Sequence, residues 1–407
     1  MSKHYFILAS IMLSLMIVSC GEDDTPVPTP EPAIEPVAVS KTNDTKVYMH
    51  YMPWFETPEY SDDWSTHWKM ANKNPDNFLA NGNRQIASHY YPLIGPYDSE
   101  DRDVIDYHLL LMKYAGVDGL LIDWYGKYDV LDYKANLDNS NALINRMEDV
   151  GLEYAIVYEE YTAENVANAT NNTDIQAAQG DMTYIRDRYF TDDYYIKVEG
   201  NPLLLTFGPR YFNNSSQWDN ILGTLNQDVT FMPLWNFTNK VGGNNADGEF
   251  AWIDFTPSYS NLQSFYATSG SQIVMGAVYP GYHDYYVEGN YGSSYGFVDH
   301  NNGITLDATF QKASQANLDY IQLCTFNDFG EGTIFEPTQE FQFQYLEKVQ
   351  DFTGVTYEKA ALETIHTYYL KRKEHKGNVD NQKILNEVFD ALVQLDLDTA
   401  NSLLSGL

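Results

Sequence analysis

Hydrophobic positions between residues 46 and 375 alternate between two patterns. Short, nearly unbroken apolar runs occur at residues 47–55, 120–124, 154–158, 202–207, 229–235, 251–255, 273–279 and 321–326. Runs of this length bounded by polar turns predict strands buried on both faces. Between them lie longer stretches with an apolar residue every three or four positions. In residues 103–115, Val104, Tyr107, Leu110, Leu111 and Tyr114 share one helical face, and residues 141–150, 182–189 and 308–316 also predict helices. Eight strands separated by helices predict an α/β fold, a (β/α)8 TIM barrel rather than an open doubly wound sheet. No glycine-rich phosphate loop follows any of the strands. Residues 359–371 and 382–395 predict amphipathic helices, the second with Ile384, Leu385, Val388, Leu392 and Leu395 on one side. The expected body is therefore a barrel over residues 46–375. A C-terminal helical extension, residues 376–407, is expected to pack on it.

The first 45 residues follow another logic. Lys3 and His4 precede an apolar stretch over residues 5–18. That stretch is shorter than the roughly 20 residues a membrane span needs, and it predicts an export signal over residues 1–19. Ile17-Val18-Ser19-Cys20 resembles the bacterial lipobox, which implies cleavage before Cys20 and lipid on its sulfur. Gly21-Glu22-Asp23-Asp24 resembles the surface-export signal of Bacteroidetes lipoproteins. The expectation is an outer-membrane lipid anchor facing the cell exterior. Residues 25–40 are proline-rich and predict a stiff polyproline II spacer within residues 20–45. Cys324 is the one other cysteine, so the mature chain can form no internal disulfide. It sits in an apolar run and reads as a buried thiol.

Charge and composition narrow the partners. The formal net charge of −33 disfavours nucleic acid and highly anionic polymers. The chain holds 33 Tyr, 20 Phe and 7 Trp. Such side chains offer flat apolar faces with polar tips and suit the CH faces of sugars, although an aromatic core is the equal alternative.

Barrel sites gather where strands end, so the residues after each run carry the chemistry. Those ends read His50-Tyr51-Met52-Pro53-Trp54, Asp123-Trp124-Tyr125, Tyr158-Glu159-Glu160, Gly208-Pro209-Arg210, Tyr282-His283-Asp284 and Asn327-Asp328-Phe329-Gly330-Glu331. Asp328 and Glu331 supply the two carboxyl groups that glycoside hydrolysis uses. Asp123 and Glu159 are candidates to hold sugar hydroxyls or orient that pair, with structural hydrogen bonding as the alternative. Trp54, Trp124, Tyr125 and Tyr282 are candidate sugar contacts, with core packing as theirs. His67 and His283 are candidate hydroxyl contacts. The histidines lack metal-ligand spacing such as H-E-x-x-H, so no metal is expected.

Asn327-Asp328-Phe329-Gly330-Glu331-Gly332-Thr333, followed by Glu336-Pro337, resembles the signature of glycoside hydrolase families 71 and 99. Tyr51-Met52-Pro53-Trp54, Gly116-Val117-Asp118-Gly119, Ile122-Asp123-Trp124-Tyr125-Gly126 and Pro280-Gly281-Tyr282 are similar to their other landmarks. The resemblance implies a (β/α)8 enzyme with no organic cofactor, an α-mannanase or α-1,3-glucanase. It implies Glu331 as general acid and Asp328 as general base. Asp328 matches family 71, while Gly332-Thr333 and Glu336-Pro337 are closer to family 99. The expected function is cutting a polysaccharide outside the cell, beside outer-membrane glycan uptake proteins. A non-catalytic glycan-binding barrel, or a glycosidase on a xylan or algal polymer, are the alternatives.

Overall fold

The computed structural model describes residues 34–269 and 272–407. The apolar runs, rich in β-branched and aromatic side chains, form the strands of a barrel. These are β1 (Lys46–Tyr51), β2 (Gly119–Trp124), β3 (Glu153–Tyr158), β4 (Asn201–Thr206), β5 (Thr230–Pro233), β6 (Gly248–Phe250), β7 (Ile273–Val278) and β8 (Tyr320–Leu323). They pair in parallel, and β8 returns to β1 with Lys46 opposite Tyr320. The ring closes between β5 and β6 through one bridge, Leu234 opposite Phe250. The Asp247 N–H donates to Phe231 O at 3.0 Å and the Trp235 N–H to Phe250 O at 2.9 Å, which completes the seam.

Helices α1 (Arg102–Tyr114), α2 (Tyr133–Ile144), α3 (Asp174–Arg188), α4 (Ser215–Leu222), α5 (Ser260–Tyr266), α6 (Ile304–Ala316) and α7 (Gln344–Thr353) join the strands or follow the last of them. Strand side chains alternate between the interior and this helical shell. Tyr51 faces outward and hydrogen-bonds His108 on α1 at 2.9 Å, whereas its neighbour His50 faces inward. Predicted strand 251–255 is a loop instead. β6 stops at Phe250, and the Asp254 carboxylate accepts the N–H groups of Thr256, Asn261 and Leu262, holding the chain in a turn.

Gly116-Val117-Asp118-Gly119 forms a clasp at the N-terminal ends of the strands. The Asp118 carboxylate accepts the Val47 N–H at 2.8 Å and pairs with Lys41 and Lys46. Gly116 has φ +76°, which favours glycine. A Cβ on Gly119 would fall on the carbonyl oxygen of Glu153 in β3. Residues 37–45, expected to belong to the stiff proline-rich spacer, are docked on this same face. The Val37 N–H donates to Val393 O at 3.1 Å, and Thr45 Oγ1 donates to Leu318 O at 3.2 Å. Cys20, the predicted signal and the acidic run lie outside the described residues.

Three helices end the chain, α8 (Lys359–Glu374), α9 (Val379–Val393) and α10 (Leu397–Leu404), the first two answering to the predicted helices at 359–371 and 382–395. Helix α8 packs on α1, with Tyr369 against Tyr107 and Arg372 Nε donating to Asp103 at 2.8 Å. Tyr114 of α1 donates its hydroxyl to Leu392 O of α9 at 2.9 Å. Gly119→Ala is expected to lower stability by about 1–3 kcal/mol, because the added methyl must push β2 from β3. Urea unfolding followed by circular dichroism checks this; an unchanged midpoint would show that the clasp tolerates a side chain.

Candidate active site

The C-terminal ends of all eight strands open onto one cleft of about 440 Å³. Its floor is set inside the barrel. Gln322 of β8 donates Nε2 to Ala251 O at 2.6 Å, which turns its Oε1 towards His50 Nδ1 at 3.0 Å. Burial lowers the His50 pKa to about 4, so the imidazole is neutral near pH 7. With its proton on Nδ1, His50 presents an unpaired Nε2 acceptor to the cleft.

The segment after β8 forms one wall. Residues 327–328 pair with 333–334 as a small antiparallel hairpin. Asn327 anchors it: the Met52 N–H donates to its Oδ1 at 2.9 Å, and its Nδ2 donates to Met52 O at 3.0 Å. Phe329 is fully buried against Phe55 and Trp68. Gly332, at φ +66°, has no room for a Cβ, which would lie 2.7 Å from His283 O. These supports leave Asp328 and Glu331 lining the cleft. The Glu331 N–H donates to Asp328 Oδ1 at 2.9 Å, and the Tyr286 hydroxyl donates to Glu331 Oε1 at 3.1 Å.

Two further carboxyl groups, Asp123 from β2 and Glu159 from the end of β3, face the same space. Asp123 Oδ2 and Glu159 Oε2 are buried without a hydrogen-bond partner. Burial pushes Glu331 up to about 8, with Asp328 adding to the rise and the Tyr286 and Tyr282 hydroxyls opposing it. Burial lifts Asp328 to about 6, against the Glu331 N–H and the nearby His67. Asp123 and Glu159 stand well above the carboxylate range, first through burial, then through Asp328 at Asp123 and Asp123 at Glu159. The Arg210 guanidinium opposes the rise at Asp123, Glu159 and Glu331. Its loop is held by Glu160, whose carboxylate accepts the backbone N–H groups of Arg210, Tyr211 and Phe212.

Comparison with known proteins gives this cleft its relatives. The model of glycosyl hydrolase family 99 matches residues 42–233. The chain is 22% identical over 369 residues to the glycoprotein endo-α-1,2-mannosidase of Xenopus laevis, covering 81% of this chain and 78% of that one. It is 22% identical over 322 residues to a glycoprotein endo-α-1,2-mannosidase-like protein of Danio rerio, covering 71% and 70%. The solved GH99 endo-α-mannosidase of Bacteroides thetaiotaomicron superposes with a TM-score of 0.60 at 21% identity, over 77% of this chain and 97% of that one. The chain is a glycoside hydrolase similar to those of family 99.

In this hydrolase the cleft gathers Trp54, His67, Asp123, Tyr125, Glu159, Tyr282, Asp328 and Glu331 as expected from the sequence. Trp54 stacks on His67 at 4.1 Å between ring centroids, and His67 reaches Asp132 at 3.5 Å. Trp124 is a correction. It follows inward-facing Asp123, so the strand turns it outward, where it lies fully buried against Tyr184 and Tyr189. His283 also lies outside the cleft and stacks on His89 at 3.6 Å. Glu336 stands behind the wall, accepting the Tyr97 hydroxyl at 2.7 Å. Sequence reasoning passed over His50, Arg210, Trp252 and Tyr286 as site residues. His50 and Arg210 carried the strand-end signal. Trp252 was hidden in a predicted strand, and Tyr286 lies too far along its loop to carry one.

The raised carboxyl groups also set a pH dependence of stability. The folded state holds protons on Glu331 and Asp328 that the unfolded chain has released above about pH 4. Folding stability is therefore expected to fall as pH climbs from about 4 towards about 8. Glu331→Gln is expected to add about 1–3 kcal/mol at pH 8, less than the full shift because cleft water screens the charge, and little at pH 4. Urea midpoints at the two pH values check this; equal gains would refute the burial argument.

Proposed function

We propose that this hydrolase is an endo-acting enzyme on a neutral α-mannan, with Glu331 as general acid and Asp328 as general base. The observation that carries the reading is the β8 hairpin, which holds both carboxyl groups at the cleft wall with their affinities for protons set apart. The family match ends at residue 233, so these roles rest on their place in the cleft. The names of the relatives, endo-α-mannosidases, supply the sugar. Four carboxyl groups and one arginine, Arg210, line the cleft, which favours an uncharged polymer over a sulfated one.

Glu331, protonated near neutrality, gives its proton to the bridging oxygen as the glycosidic bond breaks. Asp328, ionised above about pH 6, takes the proton of the attacking nucleophile. Asp is a methylene shorter than Glu, leaving space for a water at the anomeric carbon, so the water attacks directly and the anomer inverts. His50 Nε2, Asp123 and Glu159 meet the hydroxyls of the bound sugar, which supply the partners these buried atoms lack.

The location rests on the N-terminal motif at Cys20. The docked residues 37–45 run along the barrel face opposite the cleft. A lipid on Cys20, with the acidic run that follows it, would hold the enzyme at the outer surface, where polymers outside the cell are met.

Purified protein incubated with α-mannan and resolved by chromatography tests the activity. Internal cleavage supports the reading, and retained binding without products favours the glycan-binding alternative. Asp328→Asn and Glu331→Gln are each expected to lower kcat about 100- to 10,000-fold. The kcat/KM profile of the wild type is expected to rise through about pH 6 and fall through about pH 8. Proton NMR of the first-formed anomer reads the stereochemistry; net retention overturns direct attack by water.

A further inference from the structure

The loop between β7 and α6 leaves aromatic rings in water at the mouth of the cleft. Tyr291 is 55% exposed and Tyr295 68% exposed, yet both line the cavity that holds Glu331. Exposed aromatic side chains next to a functional cleft mark a binding surface when they are held in place. These are held. The Asp284 carboxylate accepts the Tyr295 N–H at 2.9 Å and the Ser294 hydroxyl at 2.8 Å. The Tyr291 N–H donates to Tyr286 O at 2.8 Å, and the Ala71 N–H ties the loop to the β1 side through Gly289 O at 3.1 Å.

The rings form a path that starts at the reaction centre. Tyr286 donates to Glu331, its ring lies 6.4 Å from Tyr291 at 25° between planes, and it meets Tyr295 edge-on at 5.6 Å. Asp328 is influenced by His67 of the β1 loop, whereas Glu331 is contacted from the β7 loop. The path therefore leaves from the side of the carboxyl that stands at the bridging oxygen.

We propose that Tyr291 and Tyr295 form a distal subsite that binds the α-mannan chain beyond the cleaved bond, on the leaving-group side. This rests on the assignment of Glu331 as acid. A flat phenol ring with a hydroxyl tip fits a sugar's CH face and ring hydroxyls, and both rings line the cavity that holds Glu331, in line with the chain being cut. The subsite makes binding depend on chain length, which suits cleavage within a polymer.

Affinity electrophoresis through gels cast with soluble neutral α-mannan tests it in the full-length, Asp328→Asn background, where hydrolysis does not blur the band. Adding Tyr291→Ala and Tyr295→Ala is expected to weaken retardation roughly tenfold, the loss of two modest ring contacts. Tyr291→Phe with Tyr295→Phe, which keeps both rings, should retain most of it. In the active enzyme, the alanine pair should lower the ratio of kcat/KM on polymer to that on a short aryl mannoside, mainly through the KM on polymer. Undiminished retardation of the alanine pair, or no retardation of the background protein, overturns the subsite. So does a change in sedimentation, which would assign the rings to self-association. Retardation lost in the alanine pair while the wild type cleaves nothing would uphold the subsite and sink the hydrolase reading alone.

Discussion

Asp123, Glu159 and Asp328 are buried and Glu331 half-buried around one cleft, and they cannot all be charged together. Desolvation penalises each anion, and every neighbouring anion raises the cost further. Much of the surrounding structure answers that constraint. Arg210 brings the opposing charge, and Glu160, fully buried one residue after Glu159, spends its own carboxylate on the backbone that carries Arg210. Tyr286 and Tyr282 oppose the rise at Glu331, while the Glu331 N–H does so at Asp328. What survives is a pair, Asp328 and Glu331, whose proton affinities are set apart.

Such an arrangement needs a stiff frame, because small shifts in position change these couplings. The barrel provides it from both ends. Asp118 clasps β1 and β2 at the N-terminal face, and Asn327 binds both backbone groups of Met52 at the C-terminal face. Gln322 braces the interior between β8, Ala251 and His50. Asn327 and Gln322 are fully buried polar groups whose hydrogen bonds are satisfied, so they confer direction as well as stability. The similarity to family 99 fits this division of labour. The matched residues 42–233 include β1 to β5, with the ends of β2 and β3 that bring Asp123 and Glu159 to the cleft.

Much of this was legible along the chain. Alternating apolar runs and helical faces announced the barrel, because secondary-structure period is a local property. The β8 signature also reads locally. Its glycine at positive φ, buried phenylalanine and asparagine anchor are each required by one tight hairpin. That is why Asp328 and Glu331 could be picked out from their place after the last strand and from the resemblance of the motif around them.

The remainder was decided by tertiary structure. Asp123 and Trp124 are neighbours in one apolar run, and only the orientation of β2 in the closed ring sends the acid inward and the indole to Tyr184. Closure itself turns on one bridge between Leu234 and Phe250 and on short strands whose ends the pattern misplaced. Arg210 is positioned by a residue 50 positions earlier, and Tyr286 meets Glu331 across 45. Local periodicity encodes which segments bury a face. Which face, and which distant partner satisfies a buried polar atom, is settled only when the segments pack.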